Sequence, residues 1–127
     1  MAEIPQAERA ARTKLATVLP SLDAAPLGDA FTLWHPPAEG RLYMEPGVIV
    51  ARAFAPVGDV VPSELPPGRT AHLLLVGPYE RIPGAWQMLF DWCTRELLAR
   101  AGINWQIYEG GDKDSATSRT ALYALLR

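Results

Sequence analysis

Residues 72–92 read HLLLVGPYERIPGAWQMLFDW, and this stretch decides the fold. The apolar run up to Val76 is a strand beginning at Arg69, and Gly77-Pro78 ends it, since a proline fixes its own φ and constrains the residue before it. From there Ile82, Trp86, Leu89, Cys93 and Leu97 recur at steps of three to four, with Gln87, Asp91, Arg95 and Arg100 on the opposite side. That spacing predicts an amphipathic helix from Ile82 to Arg100. Pro83 suits its first turn, and Gly102 suits the position just past its end. Nothing in the stretch has the spacing of a metal site, a nucleophile triad or a phosphate loop, so it speaks for architecture and not for chemistry.

Working outward, a strand is expected at Trp105–Glu109, then a polar loop, then a strand at Arg119–Leu126. Upstream, Ala7, Ala11, Leu15 and Val18 mark a helix over Pro5–Leu19, with Glu8, Arg12 and Lys14 elsewhere on the wheel. Pro20 should kink or stop it. A strand at Ala30–Trp34, a proline turn over His35–Gly40 and an alternating strand over Arg41–Phe54 follow, with Pro46-Gly47 as a bulge or bend. Residues 55–68, APVGDVVPSELPPG, form a connector, with Val60-Val61 a candidate short strand. The order is αββ, then βαββ.

The chain has 127 residues, enough for one domain with a sizeable core. It is 49% hydrophobic and 20% charged, ordinary for a globular protein and far from the composition of disorder. A net charge of −2 with dispersed basic residues argues against a nucleic-acid partner. No apolar run is long enough to span a bilayer and the N-terminal residues lack a signal-peptide core, so a cytoplasmic protein is expected. Cys93 is the single cysteine and falls on the apolar stripe of the second helix, as a core residue would. His35 and His72 are far apart in sequence, so no metal and no cofactor is expected.

LGDAFTLWHP (27–36) matches RAGINWQIYEG (100–110): Gly28 with Gly102, Phe31 with Trp105, Thr32 with Gln106, Leu33 with Ile107 and Trp34 with Tyr108. Such a match predicts a duplication: repeat one over about 5–54, the connector over 55–68 and repeat two over 69–127. Two layers follow, with the helices covering one face of an antiparallel sheet. Taking the more apolar set, Phe31, Leu33, Trp105 and Ile107, as the helix-facing one puts Thr32, Trp34, Gln106 and Tyr108 on the other face. Tyr43, Glu45 and Tyr123 are expected to join them there. Aromatic area with a few convergent polar groups is the make-up of a small-molecule pocket, so the candidate ligand-binding residues are Trp34, Tyr43, Glu45, Gln106, Tyr108 and Tyr123.

In these segments the chain resembles the GyrI-like small-molecule-binding domains, also found as the effector-binding half of AraC-type and MerR-type multidrug regulators. The likeness rests on LPPGRTAHLLLVGPYERIPGAWQMLFDW (65–92), WQIYEG (105–110), RTALYALL (119–126), FTLWHP (31–36) and MEPGVIV (44–50). It covers about 100 of the 127 residues. The resemblance implies an α+β fold of duplicated βαββ (SHS2-like) units, an antiparallel sheet with two helices on one face, and a groove between the halves that takes hydrophobic, often cationic, ring compounds.

Two departures matter. Gln106 stands where the family commonly has a Glu, and an amide neither neutralises a buried cation nor acts as a base. The first repeat also lacks the strand that the family carries ahead of its first helix. An unpaired sheet edge is a template for another chain, so a homodimer is expected. The resulting reading is a stand-alone, regulatory or sequestering module for a hydrophobic ligand. Two alternatives stay open: a small hydrolase of electrophiles using Glu45 with Tyr108 or Tyr123, and a protein that acts on gyrase or on a regulator.

Overall fold

A computed structural model describes residues 3–19, 27–38, 40–51, 55–58, 60–111 and 114–127. It is an α+β structure with helix α1 (Glu3–Val18), strands β1 (Leu27–Ala38), β2 (Arg41–Val50) and β3 (Thr70–Val76), helix α2 (Ile82–Arg95), and strands β4 (Arg100–Gly110) and β5 (Arg119–Leu126). The five strands form one antiparallel sheet in the order β2-β1-β4-β5-β3. The two longest strands, β1 and β4, meet in the middle, with Thr32 opposite Gln106.

The stretch 72–92 folds as its sequence requires up to the end of the helix. Gly77 and Pro78 end β3, a single 3-10 turn at Tyr79–Arg81 follows, and Pro83 lies in the first turn of α2. The helix then stops earlier than Arg100. Leu97 takes a left-handed φ of 57° and the Leu98 amide donates back to the Cys93 carbonyl, which reverses the chain into β4. Leu97 is 92% exposed, so its side chain gives up no core contact there. Gly102, expected as the residue past the helix, lies inside β4 at φ 91°, within a register shift between Arg100 and Asn104. The Pro36 ring would lie 3.3 Å from any Cβ at that position.

Three more expectations shift. The proline turn at 35–40 is largely strand: β1 runs on through Pro36 and Pro37, beyond its last β4 pair at Trp34↔Asn104, where a missing N–H breaks no ladder on that side. Pro46-Gly47 is no bulge. Pairing with β1 is continuous from Tyr43 to Val48, and the Phe31 ring covers Gly47 so closely that a Cβ would lie 2.3 Å from it. Val60-Val61 forms no strand; Val60 makes only an isolated bridge with Val57. The expected kink at Pro20 and the end of the second strand at 52–54 lie outside the described residues.

The core lies between α2 and the β3–β5 side of the sheet. Ala85, Leu89 and Cys93 from the helix pack on Ala71, Leu122 and Ala124, with Leu73, Leu75, Trp86, Phe90, Leu98 and Leu126 around them. The small residues Ala71, Ala85 and Ala124 let the helix approach closely, and Cys93 is the core residue its spacing implied.

Candidate functional site

The register assigns each strand residue to a face, because residues directly opposite across an antiparallel pair point the same way. Leu122 and Ala124 face α2, and they stand opposite Gln106 and Asn104, which stand opposite Thr32 and Trp34. Trp34, Gln106 and Tyr108 are therefore beneath the helices, the reverse of the face expected from composition. Tyr43, Glu45 and Tyr123 are on the other face, in line with Leu33 and Trp105. The six residues read as one site are split three and three by the sheet.

The physical reason lies in partners. Thr32 and Gln106 are buried, and buried polar groups need hydrogen bonds, which here come from the helices. The Trp86 indole N–H on α2 donates to Gln106 Oε1 at 2.8 Å, and Gln106 Nε2 donates to the Tyr108 hydroxyl at 2.8 Å. Tyr108 Oη and Thr32 Oγ1 share a hydrogen bond of 2.8 Å. From α1, the Arg12 guanidinium donates to Thr32 Oγ1 at 2.9 Å and to the Phe31 and Gly47 carbonyls at 2.6 and 2.7 Å. A polar chain thus runs from α2 across both central strands to α1.

Aromatic rings enclose this chain. Tyr79 stacks on Tyr108 with centroids 5.4 Å apart, and Trp34 meets Trp86 edge to face at 6.1 Å. The Arg12 guanidinium carbon lies 5.6 Å from the centre of the Tyr108 ring. Two buried oxygens on the same face, Asn104 Oδ1 opposite Trp34 and Thr120 Oγ1 opposite Tyr108, have no hydrogen-bond partner among the described residues. Each is an acceptor that a donor could satisfy, at a gain of about 1–3 kcal/mol.

Tyr79 carries a pH signature of this setting. Burial, and secondarily the neighbouring Tyr108, raise its pKa above the ordinary 10.0, while Arg12 pulls the other way. The folded chain holds this proton more tightly than the unfolded chain does, so the stability it contributes is complete below about pH 10 and is lost as pH rises through the folded value. The urea midpoint is expected to fall more steeply above pH 10 in the parent chain than in Tyr79→Phe. Equal slopes would remove Tyr79 from this account.

On the far face the chemistry is different. His35 Nε2 and Glu45 Oε2 are 2.6 Å apart, and the Ser63 hydroxyl donates to Glu45 Oε1 at 3.1 Å. The carboxylate lies between the histidine and the serine, whereas nucleophile activation needs the histidine between hydroxyl and carboxylate. Tyr123 is sandwiched between Trp105 at 5.5 Å and His72 at 4.7 Å, which gives His72 a ring partner. Tyr43 is 42% exposed. Glu45 is on β2, three strands from Tyr123 on β5 and across the sheet from Tyr108, so the acid/base pairings considered for a hydrolase are not assembled. The same face leaves Ile49, Leu74 and Val76 exposed.

No protein-family model matches the chain, and no curated protein matches it. A groove of about 1220 Å³ is bounded by α1 (Ala11, Leu15), β2 (Pro46, Val48) and the connector (Val60, Leu65), and of the six expected residues only Glu45 lines it. Among the described residues no group of three or more His, Cys, Asp or Glu could hold a metal ion, and no helix is long and apolar enough to cross a membrane. Arg12 was missed because it follows Ala11 and precedes Leu15 by three, at the margin of the apolar stripe. A long stem there can reach inward as easily as outward.

Proposed function

We propose that the chain is a small-molecule-binding module of the GyrI-like kind, which holds an aromatic ligand against β1 and β4 between its two helices. The observation that carries this reading is the half-buried Trp86–Gln106–Tyr108–Thr32 chain of hydrogen bonds, walled by Tyr79, Trp34 and Trp86 and flanked by two oxygens that have no partner among the described residues. Stacked rings supply area and the polar groups fix orientation, the usual division of labour in such sites. The central register supports the duplication on which the reading depends. Phe31 is opposite Ile107 as its sequence counterpart Trp105 is opposite Leu33, and the counterparts Thr32 and Gln106 face each other, as residues on a pseudo-twofold axis would.

The test is a fluorescence titration with a panel of planar dyes, neutral Nile red and cationic ethidium among them, on the parent chain and on Tyr108→Ala, Tyr43→Ala and Tyr123→Ala. Loss of the Tyr108 ring is expected to weaken binding about tenfold, the value of one good aromatic contact, while the other two changes leave it within about twofold. Binding that depends on Tyr43 or Tyr123 instead, or no binding by any dye, would refute the proposal.

A further inference from the structure

Arg12 is held by acceptors that come from three places at once. The carbonyls of Phe31 and Gly47 belong to residues directly opposite each other on β1 and β2, the Thr32 hydroxyl is next along β1, and the Tyr108 ring from β4 presents its face. A planar fork of N–H donors fits such a set, whereas a point-charge ammonium cannot reach the carbonyls and the hydroxyl together. These described partners all lie on strands, and the guanidinium that meets them arrives on a separate element.

Over its described side chains that element is seated less deeply than α2. From Arg9 to Val18 no side chain of α1 is fully buried, and the first buried one, Leu19, lies just past its end, whereas α2 buries Ala85, Leu89 and Cys93. The groove of about 1220 Å³ runs along α1 beside β2 and the connector, where close packing would otherwise resist its movement. Elements with few buried apolar contacts open at low free energy.

We propose that the Phe31–Gly47–Thr32–Tyr108 cradle is a guanidinium-binding site that the chain fills with its own Arg12, so that α1 closes the central aromatic cluster until Arg12 leaves. The cluster's role as the ligand site is taken from the function proposed above; the cradle's affinity for a guanidinium is independent of it. Any ligand entering between the helices competes with an internal occupant, and its apparent affinity is reduced by the fraction of time the cradle is filled.

Two variants test this together: Arg12→Ala, and Arg12→Met, which keeps the stem over Tyr108 and removes the donors. Millimolar guanidinium chloride is expected to raise the Tm of both variants by roughly 4 °C while leaving that of the parent chain unchanged, because only the variants have a vacated cradle to fill. 4-Aminobenzamidine fluorescence should report binding to the variants at least about tenfold tighter than to the parent chain. Failure of guanidinium to stabilise either variant, or equal 4-aminobenzamidine binding by all three chains, would overturn the proposal. The planar dyes separate the two readings. Rescue by guanidinium without any dye binding sinks the ligand module and leaves the cradle, whereas dye binding that is no tighter in Arg12→Met than in the parent chain sinks the closure by Arg12.

Discussion

Leu122→Ala is expected to lower stability by about 3–4 kcal/mol, or roughly 12 °C in Tm. Leu122 is wholly buried in β5, and it joins α2 to the centre of the sheet through Leu89 and Cys93 on one side and its neighbours Gln106 and Leu73 on the other. Removing its side chain leaves a cavity that two flanking strands and a helix cannot close. Leu122→Met, which conserves volume, should cost less than about 1.5 kcal/mol. Leu74→Ala makes the informative control. Leu74 is on the same sheet but on the other face and exposed, and its truncation should cost under about 1 kcal/mol. Similar losses for Leu122 and Leu74, read by urea unfolding, would mean that the faces have been assigned wrongly.

Thr32→Val is expected to cost about 2–3 kcal/mol, a large value for an isosteric change at one hydroxyl. Thr32 is fully buried at the middle of the central strand pair, and its Oγ1 joins the Arg12 guanidinium to the Tyr108 hydroxyl. Valine fills the same volume and suits a strand, so neither packing nor propensity should contribute. What remains is the loss of a charge-assisted hydrogen bond and of a link in a buried chain, both more costly in a low dielectric than at the surface. A double-mutant cycle with Arg12→Ala should give a coupling of about 1–2 kcal/mol. Additive effects, or a cost for Thr32→Val below about 0.5 kcal/mol, would show that Arg12 does not bind where the structure places it.

The element order was legible because the signals are local. Trp86, Leu89 and Cys93 at helical spacing, Gly77-Pro78 after an apolar run, and the alternation through β2 each specify a piece without reference to the rest of the chain. The end of α2 was not, since a left-handed leucine at 97 has no local advantage over continuing the helix, and only the start of β4 at Arg100 requires it. The two faces were inverted for a related reason. Apolarity alone put Phe31, Leu33, Trp105 and Ile107 under the helices. What decides it is that Thr32 and Gln106 find donors in Arg12 and Trp86, 20 residues away each in sequence, while Trp105 is buried by stacking on Tyr123. Of the six expected site residues, Trp34, Gln106 and Tyr108, which the repeat related, share one face of the sheet. Tyr43, Glu45 and Tyr123 were added by strand parity guessed without register, and register is set only by the pairing itself.

The expected position of a ligand is the face of the sheet beneath the helices. Its most direct measurement is the set of intermolecular NOEs between a dye that binds in the titration and the isotope-labelled protein. Contacts from the ligand to the rings of Trp34, Tyr79 and Tyr108 are expected. NOEs confined to Tyr43 and Tyr123 on the opposite face would contradict it.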